Sequence, residues 1–183
     1  MSVSGSWKRP ALWFLATTVF AGGCDLSTKT WAERTLGAPG GTMSVFEPWL
    51  ELSLVYNRGT AFSLIPHLGD TRWLFALLAL AVCAVLFVMA IRRQPVRRLE
   101  LLGLGITAGG ALGNGYDRLF RITPAGDTGV VDFIRVNLTS SYSWPTFNVA
   151  DAWIVIGVAL LLIESWRRPE PDDAAPEPIP AAS

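Results

Sequence analysis

Histidine, cysteine and charge are all scarce in this chain of 183 residues. A single histidine, His67, leaves little scope for catalysis by a Ser-His or Cys-His pair or for a histidine-rich metal site. The two cysteines, Cys24 and Cys83, lie inside apolar runs and form neither a disulfide framework nor a Cys-x-x-Cys motif. We therefore expect no metal and no cofactor.

Charged residues make up only 16% of the chain, against about 25% in a typical soluble domain, and 51% of the residues are hydrophobic. The 15 basic and 15 acidic side chains cancel, which argues against a nucleic-acid partner. Because so few charges cannot cover a water-exposed surface, we expect a lipid bilayer to be the solvent of this protein.

Four apolar stretches, with their flanking turns, are long enough to cross a bilayer as helices. Eight of the 15 basic residues lie at three sites that four crossings place on one side, and the positive-inside rule makes that side cytoplasmic. We therefore predict an all-α membrane protein with both termini in the cytoplasm. The four predicted transmembrane helices cover about residues 10–28, 71–91, 99–118 and 147–166.

The segment between the first two spans, about residues 42–66, contains LELSLVYN, which alternates apolar and polar residues with the period of a β-strand. We expect a small outer β-rich cradle here, between helices 1 and 2. The tail 169–183 holds five prolines and four acidic residues, so we expect it to be disordered in the cytoplasm. Residues 1–168 are then a single membrane domain, which we expect to be monomeric.

The first span also has features of a lipoprotein signal peptide, with two basic residues, a short apolar run and small residues before Cys24. However, Ala21 stands where such signals usually carry a larger aliphatic residue, and three further spans follow. We prefer a retained helix in which Cys24 is a small packed residue.

Two aspartates lie where a carboxylate is costly. Asp132 is surrounded by apolar residues in GVVDFI, and Asp151 begins the fourth span, with Asn148 as the predicted N-cap. Two carboxylates in a poorly solvated site share a proton, so one can act as a general base on water while the other, protonated, polarises a carbonyl. That is the chemistry of aspartic peptidases. Taken alone, Asp151 is more typical of a residue that stabilises a helix N-terminus.

The other polar residues near the membrane have simpler interpretations. Asn57 and Gly59 lie between two short apolar runs, as in an ordinary hairpin turn. Glu100 and Glu164 stand beside arginines at the cytoplasmic ends of spans, as solvated interfacial charges do.

Helical spacing groups a second set of polar residues. Asn114, Asp117 and Arg118 share one helix face, on which Asp117 is expected to join two helices. Asn114 and Arg118 can also hold a substrate backbone. Asp25 and Lys29 have the i, i+4 spacing of an ion pair.

The sequence contains five short blocks, which in chain order are DLSTK, NRGTAFS, GGALGNGYDR, VVDF and FNVAD. As an ordered set they resemble the bacterial lipoprotein signal peptidases, or signal peptidase II. The resemblance extends from Asp25 to about Trp166 and implies a four-helix aspartic endopeptidase of the bacterial cytoplasmic (inner) membrane, with its active site near the outer face. Such an enzyme removes the signal peptide of a prolipoprotein by cleaving before a diacylglyceryl-modified cysteine.

The resemblance also implies roles for individual residues. The catalytic aspartates would be Asp132 and Asp151, and the expected partners are prolipoprotein substrates, membrane lipids and the inhibitor globomycin. Two features depart from the family pattern: the pair Gly115–Tyr116 and a longer segment at 121–128. Residues implied to bind or support the substrate are Asn57, Gly59, Asn114, Arg118 and Asn148, and those implied to be structural are Asp25, Lys29 and Asp117.

Two other functions stay open at this point. Acids within a membrane also mark proton paths, so a small proton-coupled transporter is one alternative, and a non-enzymatic membrane protein is another. A transporter predicts acids deep inside the spans and an internal repeat. The acids of this chain gather towards one face, and no repeat is evident in the sequence.

Overall fold

The computed structural model describes residues 7–38, 41–59, 72–92 and 97–167. The predicted disorder of the tail and residues 60–66 of the predicted outer segment lie outside these ranges. In chain order, the described elements are α1 (Lys8–Leu36), β1 (Thr42–Phe46), β2 (Leu50–Asn57), α2 (Arg72–Arg92), α3 (Arg98–Phe120), β3 (Val130–Val136) and α4 (Val149–Trp166).

Three helices begin and end close to the predicted spans, whereas α1 continues to Leu36, well beyond the predicted end near residue 28. The extension is stabilised by Ala32 and Leu36, which are buried against the sheet. Apolar composition marks the part of a helix that lies in lipid and not the part that packs against protein. The helix is therefore longer than the predicted span, and the extent of that span in the membrane stays a prediction.

Within the described residues, α2 and α4 are the helices long and apolar enough to cross a membrane. The helices nevertheless present large apolar side chains to the outside, among them Val19 (73% exposed), Trp73 (60%) and Val155 (68%). Water would be a poor solvent for such a surface. The mostly helical fold is confirmed, and four membrane crossings stay a prediction.

Helix α3 lies at the centre of the bundle and contacts each of the other three helices. Its glycines permit close approach: a Cβ atom at Gly109 would lie 2.6 Å from the carbonyl oxygen of Thr18 in α1. A Cβ atom at Gly110 would lie 2.5 Å from the carbonyl oxygen of Ala150 in α4. These contacts bring the polar residues of three helices within hydrogen-bonding reach of one another.

The three strands form one antiparallel sheet in the order β1-β2-β3. The predicted cradle between helices 1 and 2 is therefore incomplete, because β3 comes from the connection between α3 and α4. Sequence patterns could not show that this apolar run pairs with a strand about eighty residues earlier (a long-range contact). The sheet packs on the end of α1 through Val131 and Phe133.

The two glutamates near the helix ends opposite the sheet are buried, so their interpretation as solvated charges was wrong. Glu100 and Glu164 are 2% and 3% exposed. Glu164 accepts a hydrogen bond of 2.7 Å from the guanidinium of Arg97, which precedes α3. A buried carboxylate is stabilised by such a partner, and the nearby arginine supplies it here.

Candidate active site

Helix α4 begins with a capping box that fixes Asp151. The side-chain oxygen of Asn148 accepts a hydrogen bond of 3.0 Å from the backbone N–H of Asp151, and Asp151 Oδ2 accepts one of 3.1 Å from the backbone N–H of Asn148. The predicted N-cap is therefore confirmed. Asp151 lies in the first helical turn, where the partial positive charge of the helix N-terminus stabilises a carboxylate.

Asp132 lies near the start of β3 and is only 4% exposed. Both of its carboxylate oxygens accept hydrogen bonds from asparagine amides: Oδ1 from Asn148 Nδ2 at 2.7 Å and Oδ2 from Asn57 Nδ2 at 3.1 Å. Asn57 is the last residue of β2. The carboxylate is thus held between the start of α4 and the neighbouring strand.

The two aspartates belong to one hydrogen-bond network. Asn148 contacts both of them, and Asn114 Nδ2 donates to Asp151 Oδ1 at 2.8 Å. Asn148 Nδ2 also donates to Asn114 Oδ1 at 3.1 Å. The structure therefore brings together, from β2, α3, β3 and α4, five of the residues that the sequence singled out.

A fully buried lysine lies on the α1 side of this network. Lys29 Nζ donates to Asn114 Oδ1 at 2.8 Å and forms ion pairs with Asp25 Oδ2 at 2.7 Å and Asp117 Oδ2 at 3.0 Å. The ion pair predicted from the i, i+4 spacing is confirmed, as is the expected link from Asp117 to another helix. Asp25 Oδ1 also accepts a hydrogen bond of 2.9 Å from the backbone N–H of Ala150 in α4. Asp25 and Lys29 thus support the residues that hold Asp151.

Arg118 and Gly59 lie close together beside the carboxylates. The guanidinium carbon of Arg118 lies 4.2 Å from the ring centre of Phe75 in α2, and its charge interacts with Asp132 and Asp151. A Cβ atom at Gly59 would lie 3.0 Å from this guanidinium, and Gly59 has a φ of +77°. Both the backbone conformation and the close approach therefore favour glycine at this position.

The pKa of Asp132 is raised from 3.8 to about 6, chiefly by burial and also by the nearby carboxylate of Asp151. The hydrogen bonds from Asn57 and Asn148 and the charge of Lys29 oppose this shift. A carboxyl group with such a pKa can hold or release a proton near neutral pH, as acid–base catalysis requires.

A second polar chain was missed by the sequence reasoning. Tyr56 Oη donates to Glu33 Oε1 at 3.0 Å, Arg121 Nη1 pairs with Glu33 Oε2, and Arg121 Nε donates to Asp117 Oδ1 at 2.6 Å. Burial and the bond to Glu33 raise the pKa of Tyr56 to about 12. The available signal was spacing, since Glu33 follows Lys29 by four residues and Arg121 follows Asp117 by four.

Within the part of the chain that the structure describes, no group of three or more His, Cys, Asp or Glu side chains is arranged to hold a metal ion. The chemistry available at the site is that of two carboxylates, three amides and one arginine.

Comparison with known proteins gives consistent matches. A family model described as signal peptidase (SPase) II matches residues 17–167. A lipoprotein signal peptidase of Aquifex aeolicus is 39% identical over 151 residues, covering 82% of each chain. One of Hydrogenovibrio crunogenus is 37% identical over 155 residues, covering 82% of this chain and 84% of the relative.

Two solved structures share the fold. Both are described as a bacterial membrane enzyme structure obtained by the in meso method, one at 2.3 Å and the other at 1.9 Å resolution. The first has a TM-score of 0.68 and 25% identity, and it covers 91% of this chain and 93% of its own. The second has a TM-score of 0.70 and 25% identity, with 85% and 94% covered.

Proposed function

Because the chain belongs to the signal peptidase II family, we propose that it removes the signal peptide from diacylglyceryl-modified prolipoproteins by cleaving before the lipidated cysteine. Membership of this family makes the chain an enzyme of lipoprotein processing, and it favours a peptidase over a transporter or a non-enzymatic protein. The nature of the catalytic groups, the depth of the site and the orientation in the membrane are the further parts of the proposal.

The catalytic groups in this proposal are Asp132 and Asp151. The observation that carries the assignment is their common link to Asn148, whose side-chain Nδ2 donates to the Asp132 carboxylate and whose backbone N–H donates to the Asp151 carboxylate. The charge of Asp151 also contributes to the raised pKa of Asp132, which supports the proposal that one proton serves both carboxylates. The raised pKa of Asp132 favours it as the carrier of the shared proton.

The reaction then follows the general course of aspartic peptidases. Asp151, as the ionised partner, takes a proton from water while the oxygen adds to the scissile carbonyl, which the protonated Asp132 polarises by donating a hydrogen bond. Collapse of the tetrahedral intermediate breaks the C–N bond, and the amine of the lipidated cysteine leaves with a proton from the pair. Arg118, with Asn57 and Gly59 beside it, would hold the substrate backbone.

The position of the site suits a substrate anchored in lipid. The two aspartates and the asparagines that contact them lie where the C-terminal end of α3 and the N-terminal end of α4 meet the sheet. Away from the sheet, the helices expose apolar side chains. The acyl chains of the substrate can stay in the bilayer while the scissile bond reaches the carboxylates. Membrane lipids and the inhibitor globomycin are the further ligands that we expect.

Basic residues give the proposed orientation in the inner membrane. Lys8, Arg92, Arg97 and Arg167 lie at the ends of helices opposite the sheet, and by the positive-inside rule they support a cytoplasmic location for those ends. Labelling of Asn137→Cys by a membrane-impermeant thiol reagent on spheroplasts tests this. If the cysteine at position 137 does not react, the sheet lies on the cytoplasmic side and the proposed orientation is wrong.

One assay tests the proposed reaction. Purified chain is mixed in detergent with a diacylglyceryl-modified precursor, with the same precursor unmodified, and with the modified precursor plus a chelator or globomycin. We expect cleavage only of the modified precursor, a new N-terminus at its cysteine by mass spectrometry, no effect of the chelator and inhibition by globomycin. Equal cleavage of the unmodified precursor, or loss of activity with the chelator, would contradict the proposal.

A further inference from the structure

The polar chain from Tyr56 to Asp117 lies next to the dyad, yet none of its links touches a catalytic carboxylate. It runs from β2 to α1 and then to α3. Arg121 is its central member, because its guanidinium binds Glu33 of α1 with Nη1 and Asp117 of α3 with Nε. We call Glu33 and Arg121, with these two contacts, the Glu33–Arg121 clasp.

The clasp holds two strands at one point. Tyr56 of β2 and Val131 of β3 are directly opposite each other in the antiparallel register. Tyr56 donates its hydroxyl hydrogen bond to Glu33, and the backbone N–H of Val131 donates to Asp117 Oδ2 at 3.3 Å. Arg121 binds the carboxylates of both Glu33 and Asp117. One guanidinium therefore restrains two residues, Tyr56 and Val131, that face each other in adjacent strands.

The residues that follow in each strand belong to the site. Asn57 follows Tyr56, and Asp132 follows Val131. Because side chains alternate between the two faces of a sheet, holding the Tyr56 side chain on one face and the Val131 backbone in place sets where Asn57 and Asp132 point on the other face. The hydrogen bond of 3.1 Å between Asn57 and Asp132 is made on that opposite face.

Burial distinguishes this ion pair from an ordinary surface pair. The side chains of Arg121 and Glu33 are 12% and 24% exposed, whereas those of the nearby Arg58–Asp127 pair are 49% and 47% exposed. Exposed pairs hold their geometry weakly, while charge-assisted hydrogen bonds away from water are stronger and better ordered. The Glu33–Arg121 clasp can therefore restrain the strands, and the Arg58–Asp127 pair serves as a natural control.

We propose that Glu33 and Arg121 are positioning residues for the catalytic dyad, which they serve by fixing the Tyr56–Val131 pair and thereby the placement of Asp132 against Asn57, Asn148 and Asp151. The inference rests on the proposed function, since it assigns Asp132 to catalysis. It adds two residues that neither contact the reacting atoms nor belong to the motif blocks of the sequence.

The test compares Glu33→Gln, Arg121→Gln and the double variant with the control Asp127→Asn, using the diacylglyceryl-modified precursor. We expect kcat to fall roughly tenfold in each clasp variant, with KM nearly unchanged, because a small misplacement of a catalytic group affects chemistry more than binding. The double variant should be no slower than the worse single variant, since Arg121→Gln already removes the ion pair with Glu33 that Glu33→Gln breaks. Asp127→Asn should retain the kcat of the unmodified chain.

The charges separate positioning from a direct electrostatic effect. Arg121→Gln removes a cation and Glu33→Gln removes an anion, so an effect of charge alone would move the pH–activity curve in opposite directions in the two variants. Positioning predicts the same loss of kcat in both. Unchanged kcat in both variants, or opposite changes in kcat, would overturn the proposal.

Two further measurements keep the outcome clear. Tyr56→Phe removes only the hydroxyl hydrogen bond to Glu33, and we expect its kcat to fall by about threefold. This variant tests the positioning role even if a charge variant fails to fold. A value equal to that of the unmodified chain counts against the clasp. Asp132→Asn is run in the same assay: if it stays active, the dyad assignment fails, whereas an inactive Asp132→Asn with fully active clasp variants defeats this inference alone.

Discussion

Asn148 performs two tasks with one side chain. Its oxygen caps α4 by accepting from the backbone of Asp151, and its nitrogen donates to Asp132 and to Asn114. An amide is suited to this position because it offers both an acceptor and two donors without a charge. An aspartate could cap the helix equally well but would repel Asp132.

The pair of acids, the cap and the Asp25–Lys29 ion pair could all be predicted from the sequence, because each depends on local spacing or on an acid in an apolar run.

At the scale of single residues, the pKa of Asp132 predicts a pH dependence. Its pKa of about 6 means that kcat/KM should decline as the pH rises above that value, because the pair then loses its shared proton. Asn57→Ala removes a hydrogen bond that stabilises the carboxylate, so the pKa should rise and the decline should move to higher pH. Measured kcat/KM across pH checks this, with Asn137→Ala at the distant end of the sheet as the matched control. A decline that stays in place or moves to lower pH would contradict the assignment.

At the scale of elements, α3 depends on glycine to reach its neighbours. A Cβ atom at Gly109 would meet Thr18 O at 2.6 Å and Ala21 Cβ at 2.7 Å, whereas one at Gly23 of α1 meets nothing within 4 Å. We expect Gly109→Ala to destabilise the fold by about 1–3 kcal/mol through overpacking. Gly23→Ala should be neutral or slightly stabilising, because alanine favours a helix. Thermal unfolding in detergent compares the two variants, and equal melting temperatures would mean that the α1–α3 contact tolerates an added methyl group.

The elements also show where sequence reasoning ends. Three helices were predicted well, because each combines an apolar run with polar flanks. The extension of α1 to Leu36 and the pairing of β3 with β2 depend on contacts between segments far apart in the chain. The clasp was missed for the same reason: Glu33 and Arg121 resemble solvated surface charges until the sheet covers them.

At the scale of the whole molecule, the fold places a charged, hydrogen-bonded site at one end of an apolar helical bundle. Lys29, Asp25 and Asp117 are completely buried, and together with Arg121 they balance charge between α1 and α3. The sheet covers this end and contributes Asn57 and Asp132, while α3 and α4 contribute Asn114, Asn148 and Asp151. In the proposed reaction, water reaches the carboxylates from the sheet end, and the anchored part of the substrate lies along the apolar surface of the helices.

The turnover of Asp132→Asn and Asp151→Asn tests the central claim most directly. Each variant keeps the size of the side chain, and folding is checked by the melting temperature of the purified protein. With a diacylglyceryl-modified precursor, we predict that kcat falls roughly 10²–10⁴-fold or more in either variant, because each removes one partner in proton transfer. A folded variant of either kind that cleaves the precursor within a few-fold of the unmodified rate would contradict the account.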